Sequence, residues 1–283
     1  MKNNDLTGNL PTRLGFLTLL SDVVLNENAL SGSLPTQIGA WTKLTFLNLF
    51  GNQMSGSLPS ELGRLSSVAT LDLRSNKFQS QIPSELGQMS SLRLLLLAAN
   101  NGLSGSLPSQ LGLLSNLMEL DLRINGLEGV VPMELGALTA LTSLTIRETT
   151  LDGPIPATFG QLTGLQSLDL SGNFLSGTLP TNVGRLIELT SMQFRFNFLD
   201  GKLPSELGLL TGLQLLDLSS NSFTGPIPTE LTNLTNLRNF NIISNSLSGL
   251  VPENFCSDPL FNFEDLVADC NIKVTCGCCT QCG

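Results

Sequence analysis

A block of about 24 residues recurs along this 283-residue chain, with the consensus L-x-x-L-x-L-x-x-N-x-L-x-G-x-L-P-x-x-L-G-x-L. The asparagine slot returns every 24 residues, except for one 25-residue step from Asn100 to Asn125, and Thr149 fills the one slot that lacks asparagine. We call the residues of this slot the ladder asparagines: Asn4, Asn28, Asn52, Asn76, Asn100, Asn125, Asn173, Asn197, Asn221 and Asn245. A fixed period of this length predicts a solenoid, because each repeat can bury its apolar side only against its neighbours.

Each block contains local signals for a short strand, a bend and a helical turn. The L-x-L segment alternates with period 2, as at Leu47 and Leu49, and predicts a strand whose leucines point inward. The recurring proline predicts one fixed bend per coil, because proline is excluded from helix interiors and from central strand positions. We therefore expect a parallel sheet of L-x-L strands, followed in each coil by a 3-10 or short α-helical turn on the outer side.

Other consensus positions predict how the coils are held together. A buried asparagine amide needs hydrogen-bond partners, and backbone groups of the same and adjacent coils can supply them. Thr149 can replace only part of this bonding, so we expect a local weak point there. The glycine of L-x-G-x-L-P is expected where the chain is crowded or where φ is positive. Trp41 occupies a position that leucine or methionine fills in other blocks, and is assigned to the core.

Composition limits the classes of function. The net charge is −9, and no stripe of lysine and arginine exists to neutralise phosphates, so a nucleic-acid partner is not expected. The chain has no histidine and no tyrosine, which excludes Ser-His-Asp, Cys-His and histidine–metal sites. The longest apolar run, residues 94–99, is far shorter than the roughly 20 residues of a membrane span. We predict a protein that is not an enzyme and uses no cofactor or metal.

The cysteines predict a separate C-terminal cap. All six lie in the last 28 residues, at Cys256, Cys270, Cys276, Cys278, Cys279 and Cys282. An even number beside a repeat array indicates disulfides and an oxidising compartment, although the sequence does not choose the pairing. A metal site on the last four cysteines is the alternative, which the absence of histidine disfavours. We therefore divide the chain into a repeat array, residues 1–252, and a cap, residues 253–283. Asn233 begins a glycosylation sequon that is compatible with secretion.

The repeated block resembles the plant-type leucine-rich repeat of receptor ectodomains and polygalacturonase-inhibitor-like proteins, over about residues 1–252. This resemblance implies an α/β repeat fold, a right-handed curved solenoid with a parallel sheet on its concave face and short 3-10 or α turns on its convex face. It also implies a second short sheet around L-x-G-x-L-P. The tail, with L-V-A-D-C at residues 266–270 and C-G-C-C-T-Q-C at residues 276–282, is similar to the C-terminal cap of leucine-rich-repeat proteins of diatoms and related algae. Since the chain begins at a ladder asparagine with no cap before it, we expect it to be part of a longer protein whose upstream segment could hold a signal peptide or membrane anchor.

Strand alternation predicts which side chains face outward, namely those six, four, two and one residues before each ladder position. Two groups of these residues are candidate ligand contacts. The first is an exposed apolar patch within roughly 10 Å, a feature typical of interfaces. The second is an arginine column that could hold a carboxylate-bearing partner such as an acidic peptide or a uronate-type glycan, with Phe196 beside its last member. Alternatively, Arg74 and Arg123 simply pair with Asp72 and Asp121 on a solvated face. The patch comprises Phe46, Phe50, Leu94 and Leu96, and the column comprises Arg74, Arg123, Arg147 and Arg195.

We predict a secreted or cell-surface recognition scaffold that binds a protein, peptide or glycan on its concave face. Three alternatives stay open. One is an inhibitor of a secreted hydrolase, as among the polygalacturonase-inhibitor-like proteins. Another is an ice-binding protein, for which the outward columns are too mixed. The third is a structural wall protein.

Overall fold

The computed structural model describes residues 4–257, 261, 263–269, 274–275, 279 and 281–282. The chain divides into two compact units, residues 1–150 and residues 151–283. In each unit every repeat forms one coil. A coil contains a short strand, a turn at the ladder residue, a second strand and a 3-10 helix. None of the helices in the described part of the chain combines the length and the apolar character that a membrane span requires.

The L-x-L segments form the first sheet of each unit, in which neighbouring strands are parallel and in register. Leu47 and Leu71, for example, are register partners and fully buried, as the alternation predicted. In the first unit these strands are Asp22–Val24, Phe46–Asn48, Thr70–Asp72, Leu94–Leu96, Glu119–Asp121 and Ser143–Thr145. In the second unit they are Ser167–Asp169, Ser191–Gln193, Leu215–Asp217, Asn239–Asn241, Asp265–Ala268 and Gln281–Cys282.

The residues after each ladder position form a second parallel sheet, as the resemblance implied. Its strands in the first unit are Thr7–Asn9, Ala29–Gly32, Gln53–Ser57, Lys77–Ser80, Asn100–Gly105 and Asn125–Val130. In the second unit they are Thr150–Gly153, Phe174–Thr178, Phe198–Lys202, Ser222–Gly225 and Ser246–Leu247. Glycines of L-x-G-x-L-P such as Gly56 and Gly177 have φ of 78° and 75°, which confirms the predicted left-handed conformation.

A 3-10 helix completes the coil, directly after the recurring proline. Pro59, for example, accepts a hydrogen bond from the backbone N–H of Leu62 at 3.1 Å, so proline fixes the bend and starts the helix. The 3-10 helices of the first unit are Thr12–Phe16, Thr36–Ala40, Ser60–Arg64, Ser84–Gln88, Ser109–Leu113 and Met133–Ala137. Those of the second unit are Ala157–Gln161, Thr181–Arg185, Ser205–Leu209 and Thr229–Asn233.

The ladder asparagines bond to backbone groups of two coils, as predicted. Asn52 accepts a hydrogen bond from the N–H of Leu30 in the preceding coil at 3.0 Å. Its Nδ2 donates to the carbonyls of Leu25 and Leu49 at 2.9 and 3.0 Å. Trp41 is buried, and its Nε1 donates to the carbonyl of Leu14 at 2.8 Å, which confirms its assignment to the core. Thr149 is also buried, and a weak point at its slot stays a prediction.

The position before each ladder residue has a left-handed backbone that the sequence did not indicate. Glycine occupies it at Gly51 and Gly172, yet Ser75, Phe196 and the β-branched Ile124 adopt the same φ of 52–57°. A positive φ is rare for residues with a Cβ and most unusual for branched ones. The turn into the second sheet therefore imposes this conformation whatever the residue.

The C-terminal region extends the first sheet and ends the ladder. Asp265–Ala268 pairs with Asn239–Asn241, and Phe255 of the helix Asn254–Ser257 packs against Phe240. Asp269, 24 residues after Asn245, accepts hydrogen bonds from the N–H groups of Ser244 and Asn245 at 3.0 and 3.1 Å. One coil earlier, the equivalent N–H groups of Ser220 and Asn221 donate to the backbone carbonyls of Ile243 and Ser244. The Asp269 carboxylate therefore replaces two carbonyls. The segments Gly249–Leu250 and Val274–Thr275 form a further parallel pair.

The glycine of each 3-10 helix should resist substitution because the coils touch there. A Cβ added at Gly87 would overlap the carbonyl oxygen of Gln110 in the next coil and lie 3.0 Å from its Cβ. We expect Gly87→Ala to lower the free energy of unfolding by about 1–3 kcal/mol, measured by urea denaturation. The control Gly212→Ala should be neutral or mildly stabilising, since its nearest neighbours lie 3.7 Å away. Equal stabilities of the two variants would contradict this account.

The Asp269 carboxylate should protect the last ladder coil. We expect Asp269→Ala to lower stability by about 1–3 kcal/mol, because two backbone N–H groups lose a charged acceptor. Amide hydrogen exchange should then accelerate at Ser244 and Asn245 before other coils respond. Asp269→Asn, which keeps one acceptor oxygen, should recover part of the protection, and Asp265→Ala is the control. Unchanged exchange at both amides in Asp269→Ala would show that the carboxylate does not end the ladder.

Candidate ligand-binding face

The open side of the first sheet is the face that was predicted to bind a ligand. In the first unit Phe46, Phe50 and Leu94 lie on it and are partly exposed. Phe46 pairs in register with Thr70, and Thr70 pairs with Leu94, so the two apolar residues are two strand spacings apart, as expected. The Phe50 ring lies beneath the guanidinium group of Arg74, 5.4 Å from its centroid. This arrangement holds an aromatic ring beside a cation on the face.

The prediction that Leu96 is exposed is wrong, since only 6% of its surface is accessible. Ala98, in the same coil, is also buried. Leu96 lies in register between Asp72 and Asp121, and an arginine binds each of these carboxylates. The two ion pairs stand on either side of Leu96 and shield it from water. The apolar patch therefore consists of Phe46, Phe50 and Leu94.

Two arginines of the predicted column are committed to neighbouring carboxylates. The Nη2 and Nε atoms of Arg74 donate to the two oxygens of Asp72 at 2.8 and 3.0 Å. This hydrogen bonding raises the pKa of Arg74 above its ordinary value. The Nε of Arg123 lies 3.4 Å from Asp121. The predicted pairing of Arg74 with Asp72 and of Arg123 with Asp121 is thus confirmed, but the two carboxylates are buried and not solvated. Arg147 makes a longer contact of 3.7 Å with Glu148.

Arg195, in the second unit, has a different environment. Within the described residues it has no carboxylate at ion-pair distance, and its guanidinium lies 5.8 Å from the ring centroid of Phe196. The nearby Asp217 instead accepts hydrogen bonds from the hydroxyl and N–H of Ser219 at 2.6 and 3.0 Å. Arg74 and Arg123 each follow an aspartate by two residues, whereas Arg195 follows Gln193. Arg147, which follows Thr145, shares this local difference, so the sequence separates Arg74 and Arg123 from Arg147 and Arg195 but does not single out Arg195.

A depression of about 340 Å³ surrounds Arg195 on the concave face of the second unit. Amide, carboxylate and aliphatic side chains line it, all from first-sheet strands and the residues that follow them. They include Gln193, Leu215, Asp217, Asn239, Asn241 and Asp265. Such a lining offers hydrogen-bond donors and acceptors to a polar ligand, and Arg195 offers a cation to a negative group.

The structure also reveals an aromatic cluster that the sequence analysis missed. Phe174 and Phe198, on the second sheet, are more than half exposed, and Phe196, two residues before Phe198, is also exposed. Comparison of the slot after each ladder asparagine would have revealed the first two, since other coils place Gln53, Lys77 or Ser222 there.

The predicted modification sites are described only in part. Asn233 is exposed at the end of its 3-10 helix, and its glycosylation stays a prediction. Cys279 is disulfide-bonded. The side chains of Cys256, Cys270, Cys276, Cys278 and Cys282 lie outside the described residues. The pairing of the cap, and the alternative metal site on its cysteines, therefore stay untested.

Comparisons with known proteins agree with the fold. The model of a leucine-rich repeat region matches residues 17–155, and that of a single leucine-rich repeat matches residues 164–186 and 212–234. No curated protein sequence matches the chain. The structure is similar to a TDR receptor, with 30% identity and a TM-score of 0.89 over 94% of this chain and 46% of that one.

Two further structures are informative about function. The Arabidopsis receptor kinase HAESA, solved with the peptide hormone IDA and the co-receptor SERK1, is 34% identical with a TM-score of 0.85, over 94% of this chain and 45% of that one. A plant ice-binding protein is 30% identical with a TM-score of 0.69, over 81% of this chain and 74% of that one. The chain spans less than half the length of the two receptor chains. Hydrolase inhibition, ice binding and a structural wall role stay predictions.

Burial of Asp121 predicts a pH effect on stability. Burial raises the pKa of Asp121 above its ordinary value, and the N–H and guanidinium of Arg123 oppose this only in part. The carboxyl group of Asp121 therefore has a higher pKa in the folded state than in the unfolded state. As the pH rises from the unfolded-state pKa to the folded-state pKa, Asp121 lowers the stability of the fold. We expect Asp121→Asn to match wild type at low pH and to equal or exceed it, by less than about 1 kcal/mol, above that interval. Denaturation curves from pH 3 to pH 7 measure this, with Asp5→Asn as an exposed control. A deficit of Asp121→Asn that grows with pH would contradict it.

Proposed function

We propose that this chain, which belongs to the leucine-rich-repeat family, is a recognition scaffold that binds an extended, carboxylate-bearing peptide on its concave face. The observation that carries the proposal is Arg195, whose guanidinium has no carboxylate partner among the described residues and borders a polar depression. A planar guanidinium can donate two parallel hydrogen bonds to one carboxylate. It is therefore suited to anchoring a peptide terminus or an acidic side chain.

The lining of the depression supports a peptide as the ligand. The amides of Gln193, Asn239 and Asn241 can each donate and accept, which suits the alternating N–H and C=O groups of an extended main chain. Asp265 adds a carboxylate that suits a basic group or a backbone N–H. Leu215, partly exposed in the same depression, provides an apolar contact for a side chain.

The apolar patch of the first unit supports the same class of ligand independently. Phe46, Phe50 and Leu94 are partly exposed on a face where aspartate or serine would serve the fold equally well, as Asp22, Ser143 and Ser167 do at the Phe46 position of other coils. Aromatic residues and arginine often dominate binding energy at interfaces. This patch suits an apolar side chain of a peptide.

The similar proteins support this class of function. One of them, HAESA, was solved in complex with a peptide hormone. The similarity to the TDR receptor covers 94% of this chain with a TM-score of 0.89. We infer an extracellular or cell-surface location for the present chain from the same similarity. Because the chain spans less than half of those receptors, signalling is not part of the proposal.

A peptide array tests the proposal directly. The probes are synthetic 12-residue peptides of random sequence, each in a free-acid form and in a form with an amidated C-terminus and amidated side chains. We expect free-acid binders whose affinity falls about 10-fold or more in Arg195→Gln, because a partner charge loses its cation. Arg185→Gln, on an exposed convex arginine, is the matched control.

The same array tests the first-unit patch. Phe46→Ser/Phe50→Ser should weaken binding while leaving the melting temperature nearly unchanged, and a large loss of stability would place both rings in the core. Binders that ignore both amidation and Arg195→Gln would refute the proposed carboxylate site. The absence of any peptide binder would refute the proposed function as a whole.

A further inference from the structure

Three phenylalanines are exposed in the second unit, and we call them together the phenylalanine cluster. Phe174, Phe196 and Phe198 are 51%, 59% and 58% exposed. In the same unit Phe159, Phe194 and Phe223 are fully buried. Phenylalanine is therefore used in two ways here, and the cluster is not part of the core.

The cluster is held in a defined geometry. Leu175 and Leu199 are buried, so strand alternation turns Phe174 and Phe198 outward from the second sheet. Their rings stack on each other, with centroids 5.9 Å apart and planes inclined by 15°. Phe196 lies in the ladder turn two residues before Phe198, and Arg195 lies over its ring. Rings held in this way lose little conformational freedom on binding, which favours a contact surface.

Comparison among the coils shows that the fold does not require these rings. The slot of Phe174 and Phe198, directly after the ladder asparagine, holds Gln53, Lys77, Asn101, Ser222 and Ser246 in other coils. The slot of Phe196 holds serine or glycine in five of the ten other repeats, and its φ of 55° is unfavourable for a large side chain. A solvent-exposed aromatic group in two slots that accept serine needs an explanation other than packing.

Charges around the cluster restrict the partner. Asp152 pairs in register with Phe174, and Asp200 follows Phe198 on the same outward side of its strand. Both carboxylates are exposed, and neither has an ion-pair partner in the part of the chain that the structure describes. The apolar rings are thus bordered by unpaired negative charge on the second-sheet side. Positive groups on a partner would complement this border.

We propose that the phenylalanine cluster docks a protein partner that presents an aliphatic or aromatic side chain flanked by lysine or arginine. The stacked pair Phe174 and Phe198 lies on the second sheet, whereas the proposed peptide site lies on the first, and Phe196 lies in the turn that joins the two. One chain would thus bind two different molecules. A glycan fits less well, because the stacked rings turn their faces to each other instead of outward. Anionic lipid fits less well because Asp152 and Asp200 would repel its headgroups.

The test uses two fluorescent hexapeptides with a leucine–phenylalanine core, one flanked by lysines and the other by glutamates. Fluorescence anisotropy with the full chain should show that the lysine peptide binds at least about fivefold more tightly than the glutamate peptide. In Phe174→Ser/Phe198→Ser the affinity for the lysine peptide should fall by about fivefold or more. Serine already fills this slot at Ser222 and Ser246, so the variant should melt as wild type does. If it does not, Phe174→Gln/Phe198→Gln replaces it, since glutamine fills the same slot at Gln53.

Matched controls separate this surface from others. Leu209→Ser removes an equally exposed apolar residue on a 3-10 helix and should leave binding unchanged, while Asp152→Asn/Asp200→Asn should abolish the preference between the two peptides. Equal affinity for both peptides in wild type, or an equal loss in Leu209→Ser, would overturn the proposal. So would cluster-dependent binding of cello-oligosaccharides or phosphatidylserine vesicles, or self-association in light scattering that the phenylalanine double variant abolishes. Failure of Arg195→Gln in the peptide array leaves this test unaffected.

Discussion

Hydrogen bonding of the backbone at one turn per coil is the constraint on which the structure depends. A solenoid coil leaves N–H and C=O groups at this turn that no strand or helix satisfies, and a buried backbone group without a partner is costly. The ladder amide satisfies them: Asn76 accepts from the N–H of Met54 at 3.0 Å and donates to Leu49 and Leu73. The ladder also tolerates irregularity. Where one residue is inserted after Asn100, Asn125 accepts from the N–H of Asn100 itself, and the second-sheet register shifts after Asn125.

Because this bonding repeats at one period, the fold could be predicted from sequence with few errors. The period predicted stacked coils, the L-x-L alternation predicted that the leucines point inward, and the position of the proline predicted a bend in each coil. The left-handed turn before each ladder residue could not be predicted, since Ser75, Ile124 and Phe196 give no local signal for it. That conformation follows from how the chain enters the second sheet. The termination of the ladder by Asp269 was also missed, because aspartate is not the consensus residue, although it has the shape of asparagine and lies 24 residues after Asn245.

The sequence predicted which side chains point toward the binding face, but not which of them are exposed. Alternation gives the direction of a side chain, whereas exposure depends on the length and charge of side chains in the adjacent coils. Leu96 shows this, because the ion pairs on both sides of it bury a residue that points outward. The arginine column also shows that direction alone does not determine the environment of a side chain. Its members share one direction, yet Arg74 is held by Asp72, while Arg195, which follows Gln193, is left to interact with Phe196.

A repeat array provides its own comparison for separating fold from function. Every coil packs against its neighbours in the same way. The residue types that most coils have at one position of the repeat therefore indicate which types stabilise the fold there. A departure at an inward slot must be compensated locally, as the bonding around the insertion at Asn100 is. A departure at an outward slot needs no compensation, and it persists only if something other than stability retains it. Gln193 in place of aspartate frees a cation on one face, and Phe174 and Phe198 in place of polar residues create an apolar surface on another. By this criterion we propose both surfaces as contact sites for other molecules.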